Sequence, residues 1–140
     1  MVVRRYWIAA VLMVAALMLT ISACTSAASA GPGTTLNVQM TDFSYTPKTF
    51  AIPAGKEITL NIKNDGKVPH EFVIIKHGEK VTLPFDDDDE AKVYWEQEAK
   101  VGESLSVKFT APAEPGTYDV VCGQPAHMEA GMVGTLTVSQ

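Results

Sequence analysis

The chain has 140 residues, enough for one ordinary domain, and 46% of them are hydrophobic against 19% charged. This composition permits a packed core and excludes wholesale disorder, while two cysteines are too few for a scaffold held together by disulfides. The formal net charge of −5 leaves no basic surface for nucleic acid, so no nucleic-acid partner is expected.

Residues 1–23 predict a lipoprotein signal peptide. Two arginines, Arg4 and Arg5, precede an uncharged run from Tyr6 to Ile21. As a helix this run would span about 24 Å, short of the ~30 Å hydrocarbon core of a bilayer, which favours a signal peptide over a permanent span. The next residues, Ile21-Ser22-Ala23-Cys24, resemble the bacterial lipobox, and this resemblance implies cleavage before Cys24 and lipidation of that residue. An uncleaved N-terminal anchor is the alternative.

Residues 24–34 predict a flexible tether, because small residues, glycine and proline dominate them and cannot bury a core. The folded domain is expected to occupy residues 35–140. The lipobox implies that this domain is exported in a bacterium and contacts a membrane through its lipid. We expect it on the outer face of the cytoplasmic membrane or in the periplasm.

The domain is predicted to consist of short strands, because apolar residues alternate with polar ones along most of it. The alternating apolar positions are Leu36, Val38 and Met40, then Ile58, Leu60 and Ile62, then Leu105, Val107 and Phe109, and finally Leu136 and Val138. Thr49–Ile52 and Tyr118–Cys122 are further strands, and Glu71–Ile75 is apolar enough to be buried on both faces. Short strands separated by turns predict an all-β sandwich.

The segment Phe85–Lys100 interrupts this pattern and predicts a single helix that lies over the sandwich. Acidic residues at its start and Lys100 at its end suit the helix dipole. Asp88 with Lys92, and Glu96 with Lys100, have the i,i+4 spacing of helical charge pairs. The acidic run is interpreted as the solvated start of this helix, and a docking patch for a basic partner is the alternative.

The stretch between the last two strands contains a thiol, an imidazole and a thioether in the order Cys122, His127, Met132. Two imidazoles and one thiolate in a trigonal set, with a long axial methionine, form the blue-copper arrangement. The second imidazole is assigned to His70, which opens a strand predicted to be buried. These four residues predict a site for one type 1 copper ion.

Three of the four predicted donors have a structural alternative. In the alternative, Cys122 is a buried free thiol, His70 is a core or surface histidine, and Met132 only packs in the core. Met128 is the alternative axial ligand, although its place beside a histidine ligand would require it to fold back. The remaining histidine, His77, lies in a predicted turn and is interpreted as a solvated residue.

These residues, in this order and in a β-domain, resemble the cupredoxin family, which includes plastocyanin and azurin. The Cys-x4-His-x4-Met spacing is similar to that of auracyanin and rusticyanin, and differs from the loops of plastocyanin and azurin. Three other stretches are family-like: Pro53–Gly55, Pro69–Phe72 and Gly131–Leu136. The resemblance covers nearly all of residues 35–140 and implies a cupredoxin-like Greek-key β-sandwich, here with one short helix in an insertion.

Two positions depart from the family pattern. The residue after the first histidine is Glu71, where the family often has an asparagine that ties the two ligand loops together. The residue after the thiolate is Gly123, where the family often has serine or threonine. The sequence therefore leaves open how the ligand loops are connected.

The resemblance implies a one-electron carrier that is not an enzyme, because four protein ligands leave little room for a substrate. A redox donor and a redox acceptor are expected to dock transiently on a small apolar patch of Pro125, Ala126 and Met128 around His127.

A copper chaperone or copper-resistance protein of the periplasm or cell surface is the first alternative to an electron carrier. A multidomain copper enzyme is the second, and the single domain without a His-x-His pair argues against it. A monomer is expected.

Overall fold

Nine strands form two facing sheets in the computed structural model, which describes residues 32–140. In chain order they are β1 (Thr35–Thr41), β2 (Ser44–Thr46), β3 (Thr49–Pro53), β4 (Glu57–Asn64), β5 (His70–Ile75), β6 (Val93–Ala99), β7 (Ser104–Thr110), β8 (Gly116–Val121) and β9 (Val133–Ser139). One sheet has the strand order β2-β1-β4-β7, and the other has the order β3-β9-β8-β5-β6. The all-β sandwich expected from the sequence is confirmed.

The main core lies between the sheets and is built from the alternating apolar residues. Strands β1 and β4 pair in parallel with Leu36 opposite Leu60, so their inward-facing rows lie side by side. Every alternating apolar residue of these two strands is at most 8% exposed. Burying one such side chain contributes about 1.5–3 kcal/mol, so this pattern is a main source of stability.

Strand β5 is buried on both faces, as its apolar sequence predicts. It lies between β8 and β6. Phe72 and Ile74 face the main core, whereas Val73 and Ile75 join Val121 in a second cluster on the other face of the sheet, called here the outer cluster. A strand packed from both sides is a rigid support for the residue at its start.

The prediction of a single helix over residues 85–100 is wrong in its extent. A short 3₁₀ helix covers Asp87–Lys92, with Asp86 as its N-cap, and from Val93 onward the chain forms β6. The expectation of one short helix in an insertion is therefore confirmed, but seven of the sixteen residues of the predicted segment form a strand. Within the acidic run, Asp89 is buried and pairs with Lys92 at 2.7 Å.

Strand β6 forms because pairing with β5 outweighs its helix-like charge spacing. The two strands pair antiparallel from His70 with Ala99 to Ile75 with Val93. The sequence of β6 begins with β-branched and aromatic residues, which favour strands. Trp95 points into the core and stacks on Phe109 of β7, with ring centroids 4.6 Å apart. This contact closes one side of the sandwich.

The signal peptide, Cys24 and most of the tether expected at the N-terminus lie outside the described residues. The first strand begins at Thr35, the position where the folded domain is expected to start. Across residues 32–140, no helix has both the length and the apolar character needed to cross a membrane.

Candidate metal centre

The strand order brings the expected donors to one end of the sandwich. His70 is the first residue of β5, and Cys122 directly follows β8. Since β5 and β8 are antiparallel neighbours, the start of one lies beside the end of the other. His127 lies in the connection from β8 to β9, and Met132 is its last residue.

Three of the four expected donors are in direct proximity. The donor atoms of His70, Cys122 and His127 all lie within 4.8 Å of one another. His127 Nδ1 is 3.1 Å from His70 Nδ1 and 3.3 Å from Cys122 Sγ. His70 and Cys122 are 0% exposed and His127 is 8% exposed. A buried thiol beside two imidazole nitrogens is a donor set that suits copper.

Met132 is joined to two of these donors through its backbone. Its N–H donates to the His127 carbonyl at 3.0 Å, and its carbonyl accepts from the Cys122 N–H at 3.2 Å. The Met132 side chain is fully buried in the same core cluster as Cys122. Met128 instead packs against the outer cluster, on the opposite face of the sheet. This placement favours Met132 over Met128 as an axial donor.

A carboxylate that could not be identified from the sequence contacts the His70 ring on the side away from the other donors. Its Nε2 lies 2.9 Å from Asp42 Oδ1, so its Nδ1 is the nitrogen that faces the other donors. Asp42 lies in the turn between β1 and β2. Burial raises the pKa of Asp42, but hydrogen bonds from the Lys67 N–H and the His70 ring outweigh this and lower it. The carboxylate is thus stabilised in its charged form.

The two departures from the family pattern, at positions 71 and 123, are complementary. The Glu71 N–H donates to Cys122 Sγ at 3.3 Å, and the Glu71 carboxylate accepts from Gln124 Nε2 at 2.7 Å. A Cβ atom on Gly123 would lie 2.5 Å from Glu71 Oε2 and 3.1 Å from the Phe85 ring. Glycine therefore leaves room for the carboxylate that connects the ligand segments.

Without a cation, the surroundings of Cys122 and His127 favour the neutral forms of these two side chains. Burial raises the pKa of the Cys122 thiol to about 11, although N–H groups of Glu71 and Gln124 partly offset this. Burial and the neighbouring His70 lower the pKa of His127. A bound metal cation would reverse this preference for the sulfur, because it stabilises the thiolate directly. The site therefore has the donors and the burial expected of a metal centre.

The apolar surface around His127 differs from the expected patch. Phe43, from the turn between β1 and β2, contacts the His127 ring edge-on with centroids 4.7 Å apart, and it is 41% exposed. Pro125 and Ala126 are exposed as expected, whereas Met128 is half-buried. Phe43 could not be found from the sequence, because nothing near it in the chain marks its contact with a distant histidine.

His77 lies apart from the donors. It occupies a turn beyond the other end of β5, where its Nδ1 is 3.0 Å from Glu114 Oε1 and its side chain is 36% exposed. Its interpretation as a turn residue outside the metal site agrees with this position.

Residues 11–138 match the family model of the cupredoxin-like domain. The chain therefore belongs to the cupredoxin-like family, and the resemblance found in the sequence is confirmed. Auracyanin-B of Chloroflexus aurantiacus is a curated relative that is 32% identical over 113 residues, or 69% of this chain and 47% of that protein. The chain thus spans about half the length of this relative.

Solved structures of auracyanins have the same fold. Dithionite-reduced auracyanin from the photosynthetic bacterium Roseiflexus castenholzii is 32% identical, with a TM-score of 0.68, and the match covers 79% of this chain and 100% of that one. Auracyanin A from Chloroflexus aurantiacus, described as a blue copper protein, is 26% identical with a TM-score of 0.61, and the match covers 78% of this chain and 100% of that one. These matches agree with the auracyanin-like spacing of the Cys-His-Met loop.

Proposed function

We propose that this protein carries single electrons through one type 1 copper ion bound by His70, Cys122 and His127, with Met132 as a weak axial ligand. The observation that carries the proposal is the burial of two imidazole nitrogens and one thiol within 4.8 Å of one another. This is the equatorial donor set of blue-copper sites. The cupredoxin-like family and a blue copper relative support the same metal.

When bound, copper supplies one-electron redox chemistry between Cu(I) and Cu(II). The chain's own residues hold the donors in place from several directions. Asp42 contacts His70, the Glu71 N–H contacts Cys122, and the loop backbone joins His127 to Met132. Donors fixed in this way need little movement when the charge of the site changes. Four protein donors also leave little room for a substrate, which supports a carrier rather than an enzyme.

His127 is the best candidate for the point of electron entry and exit. Of the three clustered donors, His127 alone has any surface exposed to solvent, 8%. The exposed ring of Phe43 lies against it. Pro125 and Ala126 extend this surface with further apolar groups. A small apolar surface suits the brief contacts that redox proteins make with a donor and an acceptor.

The proposed carrier is exported and lipid-anchored. The basic N-terminus, the apolar run and the lipobox-like Ile21–Cys24 support a lipid on Cys24. The anchor would hold the domain on the outer face of the cytoplasmic membrane or in the periplasm, as a monomer that meets its redox partners there. Residues 24–34 would act as the tether between lipid and domain.

The visible spectrum of the purified chain tests the copper assignment. After loading with Cu(II), we expect an intense thiolate-to-copper absorption band that ascorbate bleaches and an oxidant restores. A Cys122→Ser variant is the matched control, because it replaces only the sulfur and should lose the band. Copper bound without this band, or copper lost on simple dialysis, would contradict the carrier and favour a copper chaperone.

A further inference from the structure

One carboxylate contacts a donor of the proposed copper site from outside the donor cluster. The Nε2 atom of His70 is 2.9 Å from Asp42 Oδ1, while its Nδ1 atom is 3.1 Å from His127 Nδ1. The two nitrogens of one ring therefore face two different environments. Carboxylates in this position fix the orientation and the tautomer of ligand histidines and make them stronger donors.

The position of Asp42 is itself well defined. The Lys67 N–H donates to both of its carboxylate oxygens, at 3.0 and 3.1 Å. Gly66 lies directly beside the contact: a Cβ atom there would approach Asp42 Oδ1 and would lie 2.5 Å from His70 Nε2. The connection between β4 and β5 thus orients the carboxylate and leaves room for its contact with the ring.

The burial of the two partners differs in a way that matters for this contact. The His70 side chain is 0% exposed, whereas that of Asp42 is 24% exposed. The carboxylate keeps partial contact with water, and the imidazole does not. A buried N–H needs a hydrogen-bond partner, and among the described residues the partner of His70 Nε2 is Asp42.

We propose that Asp42 is the positioning residue that holds a proton on His70 Nε2, so that Nδ1 presents its lone pair to the metal. This inference rests on the proposed function for its metal, but its structural part concerns the metal-free protein. Because a negative partner increases the electron density of the ring, it stabilises Cu(II) more than Cu(I). Asp42 then lowers the reduction potential of the copper site.

The first test uses the metal-free protein and needs no copper. Nuclear magnetic resonance of ¹⁵N-labelled histidine reports which ring nitrogen of His70 carries the proton. We expect a proton on Nε2 that exchanges slowly with water in the full chain, and faster exchange in Gly66→Ala, which crowds the contact and keeps the carboxylate. A proton on Nδ1 of His70 in the unaltered chain would overturn the proposal, whatever the spectrum of the copper-loaded protein.

The second test measures the consequence for copper with a control for charge. Asp42→Asn keeps the shape of the side chain and removes its charge, and we expect Cu(II) affinity to fall about 10- to 100-fold and the reduction potential to rise. Asp65→Asn removes the same charge from the neighbouring β4–β5 connection, where Asp65 pairs with Lys63. Asp65→Asn should change the Cu(II) affinity and the reduction potential far less.

These outcomes separate the two proposals. Equal effects of Asp42→Asn and Asp65→Asn would mean that only long-range charge matters and would overturn the role of the contact. A chain without the intense copper band, in which His70 nonetheless carries its proton on Nε2, would contradict the electron carrier and leave the hydrogen bond to Asp42 in place.

Discussion

Gln124 donates a hydrogen bond of 2.7 Å to the carboxylate of Glu71, and this contact joins the two chain segments that contain the clustered donors. Glu71 follows His70 at the start of β5, and Gln124 lies in the loop after Cys122. The Gln124 carbonyl also accepts a hydrogen bond from the His127 N–H at 3.1 Å. One glutamine therefore connects the surroundings of both histidines.

Replacing Gln124 by alanine should loosen this connection. We expect Gln124→Ala to lower the free energy of unfolding by about 1 kcal/mol, the usual net value of one hydrogen bond, and to speed copper release to a chelator. Chemical denaturation and stopped-flow transfer measure the two effects. Gln97→Ala is the matched control, because within residues 32–140 the Gln97 amide donates only to the neighbouring Glu98 carbonyl. Equal release rates for the two variants would contradict the role of Gln124.

Adding one methyl group at Gly123 should have a larger effect. The new Cβ of Gly123→Ala would lie 2.5 Å from Glu71 Oε2, so we expect destabilisation by about 1–3 kcal/mol, as for other overpacked sites. In a Glu71→Ala background the nearest obstacle is gone and only the Phe85 ring, 3.1 Å from the new Cβ, still crowds it, so the same change should cost less. Thermal and chemical unfolding of the two single variants and the double variant give the coupling energy. Simple additivity would show that the glycine and the glutamate are not complementary.

Most of the fold could be predicted from alternation alone, and β6 shows why the remainder could not. In β1 and in residues 57–63 of β4, inward apolar residues alternate with polar ones, so one face is apolar without reference to other strands. Strand β6 is an edge strand with three exposed positions, and its outward residues are mostly charged. Glu96 in β6 and Lys100 just after it have the i,i+4 spacing that is typical of a helix. Only pairing with β5 decides between a helix and a strand here, and that pairing is a long-range contact.

The residue types of the candidate donors could be read from the sequence, but the contacts that hold these residues in place could not. Cys122, His127 and Met132 are recognisable by type and spacing, because a metal requires particular atoms. Asp42 and Phe43 belong to a short turn, and their role depends on the folded position of that turn beside the two histidines. No local pattern marks such contacts. The substitution of Glu71 for asparagine could be seen in the sequence, but its partner Gln124 became clear only in the structure.

Exchange of the proposed axial ligand should separate the two methionines of the loop. Met132→Leu nearly conserves volume, so we expect the fold and the intense colour to remain and the reduction potential to rise as the weak donor is lost. Met128→Leu is the matched control, because Met128 packs against the outer cluster and should leave the potential unchanged. Potentiometric titration decides between them. A larger shift in Met128→Leu would transfer the axial role to that residue.

The proposed lipid anchor predicts a simple change of location. Cys24→Ala removes the thiol that would carry the lipid, so we expect the domain to leave the membrane fraction. Fractionation of cells followed by immunoblotting measures this. Cys122→Ala is the matched control, because it removes the other cysteine and should leave membrane association intact. Persistent association of the Cys24→Ala chain would favour the uncleaved N-terminal anchor.

Removal of the His127 side chain should open the proposed copper site to small molecules. His127 is 8% exposed and lies beneath the exposed Phe43, so its loss leaves a space close to the surface. We expect His127→Gly to bind copper with an altered spectrum, and added imidazole to restore the original band by filling the vacated position. Titration with imidazole, followed by absorbance, measures the effect. His77→Gly removes a histidine that pairs with Glu114 away from the donors, and its spectrum should not respond to imidazole. A His127→Gly spectrum equally insensitive to imidazole would exclude His127 as the ligand next to the surface, and with it the proposed route for the electron.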